Sequence, residues 1–552
     1  MDSKKRQAYN LKLSNLKFFY FDLGNKWISF LGILYLFHFP GDLNWKIWSY
    51  YHGLFVNIIF LICLSFEFFE SMSLKLNHNF KKCLRIIVFL ILFFVLNYQW
   101  VYQTQIDFNL VGYALNNFVM MFHELIPFIK EWNIVHFFPV LIFFILFDPF
   151  LILSNHRVDP YVLLLILYFL LVWNSWSSDT IQLNQTPSKR TNQKINRYLD
   201  TIPKGTNIIL IVLEGVSRKH ILEINSNFID YSKLNGSHFW IPMPHTSKSL
   251  YTWMTGESQL YNNRIESEKK VDEVSLPRVL KNKYSYQTQM IYTQSIYFEG
   301  MNSFFPNIFD KVWDKTILES KYNEKFDFFS WGMDDRVVLT EFKQHIDGSK
   351  PFFLLIGLSQ THSPYFTIAK SDISLNKVQR HHNALEENLR MVDDLISHIR
   401  SNIKQETLFI LTADHGESFG EEGAHAHNYS LYNQEVDVPF LMYLIQSDKL
   451  IIPQVGSSIH FKETLLQLMG SDLESKDNHR NFLNSQYLPF LAFKTWNSEI
   501  QRGLVKEDKK YIYHSDRNIL YEMDWDERDR KIIKDSALRE KIVKEIFIES
   551  SK

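Results

Sequence analysis

Cysteine is nearly missing from this chain: its 552 residues contain two, Cys63 and Cys83. That excludes a disulfide scaffold and a cysteine-based zinc cluster. Neither charge sign is in excess, with 59 Lys plus Arg against 60 Asp plus Glu and a formal net charge of −1. Nothing electrostatic therefore argues for nucleic-acid binding. There is no internal repeat and no low-complexity tract. Charged residues are a little scarce at 22%, while apolar ones reach 46% and aromatics 16%. A chain with that much to bury is not a disordered one. The length allows roughly three domain-sized units.

What is present is unevenly spread. Apolar residues crowd into the first third, in runs at residues 27–40, 45–69, 85–102, 134–154 and 159–176. A bilayer core needs roughly 20 apolar residues of helix. The spacing predicts five transmembrane spans, the shortest extended backwards through 18–21. The alternative, a buried soluble bundle, would leave little polar surface to face water. Loop charges orient the spans. Lys4, Lys5, Arg6, Lys12 and Lys17 precede the first, Lys75, Lys81, Lys82 and Arg85 lie between the second and third, and Arg157 lies between the fourth and fifth. These loops belong on the cytoplasmic side, so everything after Trp176 lies outside the cytoplasm. No small-residue cleavage site follows the first span, which reads as an uncleaved anchor. The outer loop 108–132 is amphipathic, either an interfacial helix or a lid on the bundle.

Residues 177–205 are polar and rich in Asn, Gln and Thr. They read as a linker, partly helical, along the membrane surface. Beyond them, apolar runs of strand length recur at 207–213 (NIILIVL), 352–358 (FFLLIGL), 408–412 (LFILT) and 439–444 (PFLMYL). Runs apolar on both faces suit a central, largely parallel sheet covered by helices. Leu385, Leu389, Val392, Leu395, Ile396 and Ile399 recur at helical spacing, predicting a covering helix over 383–400. The exported part, 206–552, is thus expected to be an α/β sandwich, with a small antiparallel unit around 509–526. Ligand sites in such folds gather at the carboxyl ends of the strands. That points to Glu214, to 360–362 and to Asp414–His415.

The chemistry-bearing residues stand at those ends. A buried strand ends in Asp414-His415-Gly416, where a carboxylate and an imidazole at consecutive positions can meet one metal ion. Histidine and carboxylate oxygen suit zinc or manganese. An isolated Asp-His pair would be an ordinary surface turn. Here it ends an apolar strand, and His425 and His427 follow downstream on a loop. Glu214 directly follows a fully apolar strand, a costly place for a charge unless paired or metal-bound. In 244–257 (PHTSKSLYTWMTGE), Thr246, Ser247, Ser249 and Thr252 precede a Gly-ended helical turn. A hydroxyl at a helix N-terminus suits a phosphate and an activated nucleophile. For Ser247 and Ser249 a capping role is the simpler expectation.

With these residues in place, the chain resembles the sulfatase-like branch of the alkaline phosphatase superfamily. More narrowly, it is similar to membrane-anchored phosphoethanolamine transferases of lipopolysaccharide and to lipoteichoic acid synthases. The resemblance runs over the five spans, the linker and the exported domain. It rests on Glu214 after its strand, Thr246, Asp414-His415-Gly416-Glu417 with the downstream His, and Gln360-Thr361-His362-Ser363-Pro364. Trp331-Gly332 before Asp334-Asp335, and Asn388 with Asp393, also look like family features. By this resemblance Glu214, Thr246, Asp414 and His415 hold a catalytic metal, Zn2+ with Mn2+ or Mg2+ as alternatives. Thr246 would be the nucleophile. His362 and His427, with Lys248 and His425, would bind substrate phosphate, and His362 and His427 alternatively a second metal; a solvated lysine is the plain alternative for Lys248.

The implied activity is transfer of phosphoethanolamine from a membrane phospholipid donor to an envelope lipid or glycan of the lipopolysaccharide type. It would proceed through a phosphothreonine, in a multi-pass plasma (inner) membrane protein with its catalytic domain on the periplasmic or extracellular side. A phosphoglycerol transferase of the lipoteichoic acid synthase type, a secreted-type ester hydrolase and a non-catalytic lipid-sensing regulator are the alternatives. Two departures bear on this. Sulfatases place a Cys or Ser in a Pro-x-Arg context where Thr246, Lys248 and Leu250 stand. Lipopolysaccharide phosphoethanolamine transferases usually carry disulfides in a domain that here has no cysteine.

Overall fold

The computed structural model describes residues 194–550, apart from 259–273, 298–299, 323, 330, 347–348, 364, 369–374, 471–479, 496–500 and 516, and apart from the side chains of 423, 425 and 426. The five expected spans and most of the linker lie outside the described residues. Among those described, no helix is long and apolar enough to cross a membrane.

The core is a mixed sheet of eight strands, in the order 195–196, 449–451, 440–444, 407–413, 207–213, 352–358, 287–292 and 311–313. Its centre is set by the all-apolar runs. Every residue of Asn207–Leu213, Phe352–Leu358 and Thr407–Ala413 is buried. Each buried Leu, Ile or Phe there contributes about 1.5–3 kcal/mol through removal from water. That term places these three strands side by side, where helices cover both faces. Asn207–Leu213 pairs in parallel with both neighbours. Phe440–Leu444 runs antiparallel to Thr407–Ala413 and to Lys449–Ile451. The connection from Ala413 to Phe440 holds a short hairpin, a three-residue 3-10 turn and the four-residue helix Asn433–Val436, so no long crossover helix carries the chain back to the starting end of the sheet. Ile195–Asn196, within the stretch read as a linker, adds an edge strand beside Lys449–Ile451.

The covering helix is longer than its apolar stripe, Lys377–Asn402 rather than 383–400. Asn376 caps it by accepting from the Gln379 N–H at 3.0 Å, and the Gln379 side chain accepts from the Asn376 N–H at 3.2 Å. This reciprocal cap nucleates a polar first turn that hydrophobic periodicity does not register.

The antiparallel expectation at 509–526 holds within a larger unit, a five-stranded sheet of Phe490–Lys494, Gln501–Lys506, Lys509–His514, Ile519–Met523 and Lys531–Ile532. Buried polar contacts tie it to the main sheet. Lys510 Nζ donates to Asn433 Oδ1 at 2.8 Å and to Glu527 Oε1 at 2.7 Å. Close by, Asp437 accepts from Arg218 Nε at 2.9 Å and lies 3.0 Å from His238 Nδ1.

Candidate active site

The carboxyl ends of two adjacent central strands bring Glu214 and Asp414–His415 together. Glu214 and Asp414 are each 2% exposed and His415 is fully buried. His415 Nε2 stands 3.3 Å from Glu214 Oε1 and 3.5 Å from Asp414 Oδ2. Thr246 Oγ1 completes the group, 3.2 Å from His415 Nε2 and 3.4 Å from Glu214 Oε1.

Each donor is aimed by a neighbour. His415 Nδ1 lies 3.0 Å from the Gly416 carbonyl and donates to it, which turns Nε2 towards the cluster. Asp414 Oδ1 accepts from the N–H groups of Gly215 at 3.1 Å and His415 at 2.7 Å, leaving Oδ2 inward. Glu214 Oε2 accepts from Gln294 Nε2 at 2.8 Å, and Gln294 is itself held by Tyr292. Thr246 opens the helix Thr246–Thr255, with His245 at the cap and the chain leaving at Gly256 in the left-handed region, φ 77°. The first N–H groups of a helix have no partner within it, so Thr246 stands in a field favourable to anions.

The electrostatics are those of a cation site. Burial and the Glu214 charge push the Asp414 carboxyl well above its ordinary value. Burial alone would depress the His415 imidazole, but the Asp414 and Glu214 carboxylates overrule it and push it up to about 10. Two buried carboxyl groups sharing one imidazole are short of positive charge, which a divalent ion would offset. Glu214, Asp414 and His415 offer ligand atoms within 4.8 Å of one another, and so do His415, Glu417 and His427. The donor set of two carboxylates, one imidazole and one hydroxyl fits a divalent metal.

The chain matches the sulfatase family over residues 206–471. Those residues are a sulfatase-family domain. No curated protein matches the chain. Among solved structures it is similar to a protein of the alkaline phosphatase superfamily from Vibrio parahaemolyticus, with 17% identity, a TM-score of 0.48, and coverage of 64% of this chain and 87% of that one. It is also similar to the lipoteichoic acid synthase LtaP from Listeria monocytogenes, at 16% identity and TM-score 0.46, covering 63% of this chain and 92% of the other. The soluble domain of lipooligosaccharide phosphoethanolamine transferase A from Neisseria meningitidis has 15% identity and TM-score 0.39, covering 53% and 96%.

The sulfatase-family domain places the remaining candidates around this cluster. The His427 ring centroid is 4.1 Å from that of His415 and 6.2 Å from that of His362. Burial and the neighbouring His415 lower His427 to about 4. Its Nδ1 lies 2.8 Å from Glu417 Oε2, and Glu417 Oε1 accepts from the Tyr365 hydroxyl at 3.1 Å. His362 Nδ1 is engaged with the Ser363 carbonyl at 2.8 Å. Both rings are left with Nε2 as the free face. His425 belongs to the two-residue strand His425–Ala426, and its side chain lies outside what the structure describes. Lys248 is 1% exposed, which removes the solvated-lysine alternative. Ser247 and Ser249 do not cap the helix: both are buried inside it, because the chain already turns helical at Thr246, after His245.

Sequence reasoning gave no part to Gln294, Tyr365 or His381. Gln294 lies two residues beyond the strand Gln287–Tyr292, so the strand-end rule would have found it had that strand been recognised. His381 lies 3.0 Å from the Gly215 carbonyl, backing the turn that follows Glu214.

Proposed function

We propose that this chain is a membrane-anchored, metal-dependent phosphotransferase that moves phosphoethanolamine from a membrane phospholipid to an envelope lipid or glycan. The observation that carries the reading is the placement of Thr246, a helix-opening hydroxyl within 3.4 Å of both Glu214 Oε1 and His415 Nε2. A sulfatase-family domain with threonine at that position has a nucleophile that needs no prior maturation. Glu214, Thr246, Asp414 and His415 would hold the metal, with zinc preferred for its affinity for imidazole and carboxylate. When bound, the metal lowers the pKa of the threonine hydroxyl and offsets negative charge on the phosphoryl group.

The chain's own residues do the rest. Gln294 and the N–H groups of Gly215 and His415 keep the carboxylates turned inward. Thr246 Oγ1 attacks the phosphorus of the phospholipid: its bond to phosphorus forms, the bond to diacylglycerol oxygen breaks, and that oxygen leaves with a proton. His362 and His427 present Nε2 on the phosphate side, where they hold the transferring group and exchange its protons. An acceptor oxygen then displaces Thr246 by the reverse chemistry. Lys248, from within the same helix, would add a further contact to the phosphate. The cysteine-free exported domain favours a second reading, phosphoglycerol transfer.

The test uses the full-length protein in vesicles containing labelled phosphatidylethanolamine or phosphatidylglycerol. Release of diacylglycerol from the first, abolished in Thr246→Ala, is the expected result. Release only from the second moves the assignment to phosphoglycerol, and release from neither overturns the transferase reading.

A further inference from the structure

Between His415 and His427 the chain makes a very short hairpin. Ser418 pairs with Ala426 and Phe419 with His425, antiparallel, and beyond them the turn is closed by the Gly420 N–H donating to the Ala424 carbonyl at 2.9 Å. Two pairs of residues do not hold a hairpin in water. Its geometry must be fixed from outside, and His427 leaves directly from its second strand.

The base is fixed by the main domain. The Gly416 N–H donates to the Glu435 carbonyl at 2.9 Å, and Ser418 Oγ donates to Glu435 Oε1 at 2.8 Å. Glu435 Oε2 accepts from the N–H groups of Tyr429 and Ser430, each at 3.1 Å. The tip is fixed by a different part of the molecule. Glu422 lies at the tip with φ 51°, a conformation that side-chain-bearing residues adopt reluctantly. Arg530, 108 residues later in the C-terminal unit, grips it in a fork: Nη1 to Oε2 at 2.8 Å and Nη2 to Oε1 at 2.8 Å. The guanidinium carbon stands 4.4 Å from the Tyr432 ring centroid and 5.8 Å from that of Tyr521. Arg530 is half-buried and Glu422 exposed, and the hydrogen bonds of Arg530 hold the Glu422 carboxyl below its ordinary value. Most surface ion pairs contribute little, but a two-pronged pair stacked on an aromatic ring is the exception.

We propose that Arg530 is a positioning residue of the active site: by clamping Glu422 it fixes the 418–426 hairpin and so sets where His427 stands. The C-terminal antiparallel sheet then acts on the reaction without touching substrate. Lysine does not replace arginine here, because it offers neither the fork nor the planar stack. The proposal rests on the reading of His427 as a phosphate-side group.

The experiment compares full-length wild type with Arg530→Gln, Arg530→Lys, Glu422→Gln, the double Glu422→Gln/Arg530→Gln and His427→Ala. It reads headgroup transfer, thermal midpoint and backbone hydrogen exchange. Both Arg530 variants are expected to lower kcat/KM about tenfold, with faster exchange confined to 418–430 and a nearly unchanged midpoint. Glu422→Gln is expected to match them, and the double variant to be no worse than either single one, as for two residues acting through one contact. Wild-type transfer in Arg530→Gln while His427→Ala is impaired overturns the clamp alone. Wild-type transfer in His427→Ala overturns the reading of His427 and the clamp with it. Multiplied losses in the double variant, or faster exchange throughout the domain, assign Arg530 to fold stability and overturn its positioning role.

Discussion

Glu214 and Asp414 each set a carboxylate against an imidazole inside the protein, so exchanging one oxygen for an amide nitrogen tests the site with little change of shape. Glu214→Gln and Asp414→Asn are expected to weaken divalent-metal binding by about 100-fold or more, since removing even an outer partner costs 10–100-fold. Gln294→Ala, which frees Glu214 Oε2 from its 2.8 Å partner, falls in that smaller range. Competition with a chelator of known affinity measures all three, and unchanged affinity in either carboxylate variant would remove that residue from the site. A second residue, remote from this cluster, sets an acid limit on the fold. His460 is buried with Nδ1 2.8 Å from the Tyr487 hydroxyl, and burial, aided by Arg480, lowers its pKa to about 4 from the model-peptide 6.5. The unfolded imidazole therefore binds a proton that the folded one refuses between these values. The stability it accounts for is whole above about pH 6.5 and declines as pH falls towards 4, by about 3 kcal/mol. Urea titrations of wild type across that window are expected to show the decline, and His460→Gln to reduce it by about that share, the other buried histidines such as His427 keeping the rest.

The elements that carry the site succeed through close approach as much as through their ligands. A Cβ on Gly416 would lie 2.0 Å from the Gln434 carbonyl oxygen. Gly416→Ala must therefore push the Asp414–His415 turn away from the helix Asn433–Val436, at about 3 kcal/mol or more. A lowered thermal midpoint together with weakened metal binding is the expected outcome; an unchanged midpoint would contradict the packing described. What could be read in advance divides along the same line. The runs at 207–213 and 352–358 were legible to the residue because strands buried on both faces are apolar throughout. The covering helix was legible over its stripe, but its start depends on the Asn376–Gln379 cap. The strand Gln287–Tyr292 opens with Gln, Thr and Gln, giving no apolar run, and Gln294 went unseen with it. Glu214, Thr246, Asp414 and His415 were legible because charge and hydroxyl stand where strands end and a helix begins. The contacts of Glu417, Tyr365 and Arg530 join segments far apart in sequence, and no local pattern encodes them.

At the scale of the whole molecule, the residues read as five spans precede a domain whose edge begins before Gly205. Asn196 Nδ2 donates to the Leu450 carbonyl at 3.0 Å, and the Ile452 N–H donates to the Asn196 carbonyl at 2.9 Å. A fragment starting at residue 194 is therefore expected to melt above one starting at 206 and to bind metal as tightly as the full chain. Equal midpoints would deny the edge strand its part. The membrane region's proposed work is to present lipid headgroups, so the fragment is expected to lose transfer from bilayer phospholipid while retaining turnover of a short-chain analogue. The proposed transfer depends on one covalent bond. Full-length protein incubated with phospholipid and no acceptor is to be digested and the peptide containing Thr246 weighed. A phosphoethanolamine ester on Thr246, absent from Thr246→Ala, is the expected result; an unmodified threonine, or an ester on Ser247 or Ser249 in its place, would contradict the proposed mechanism.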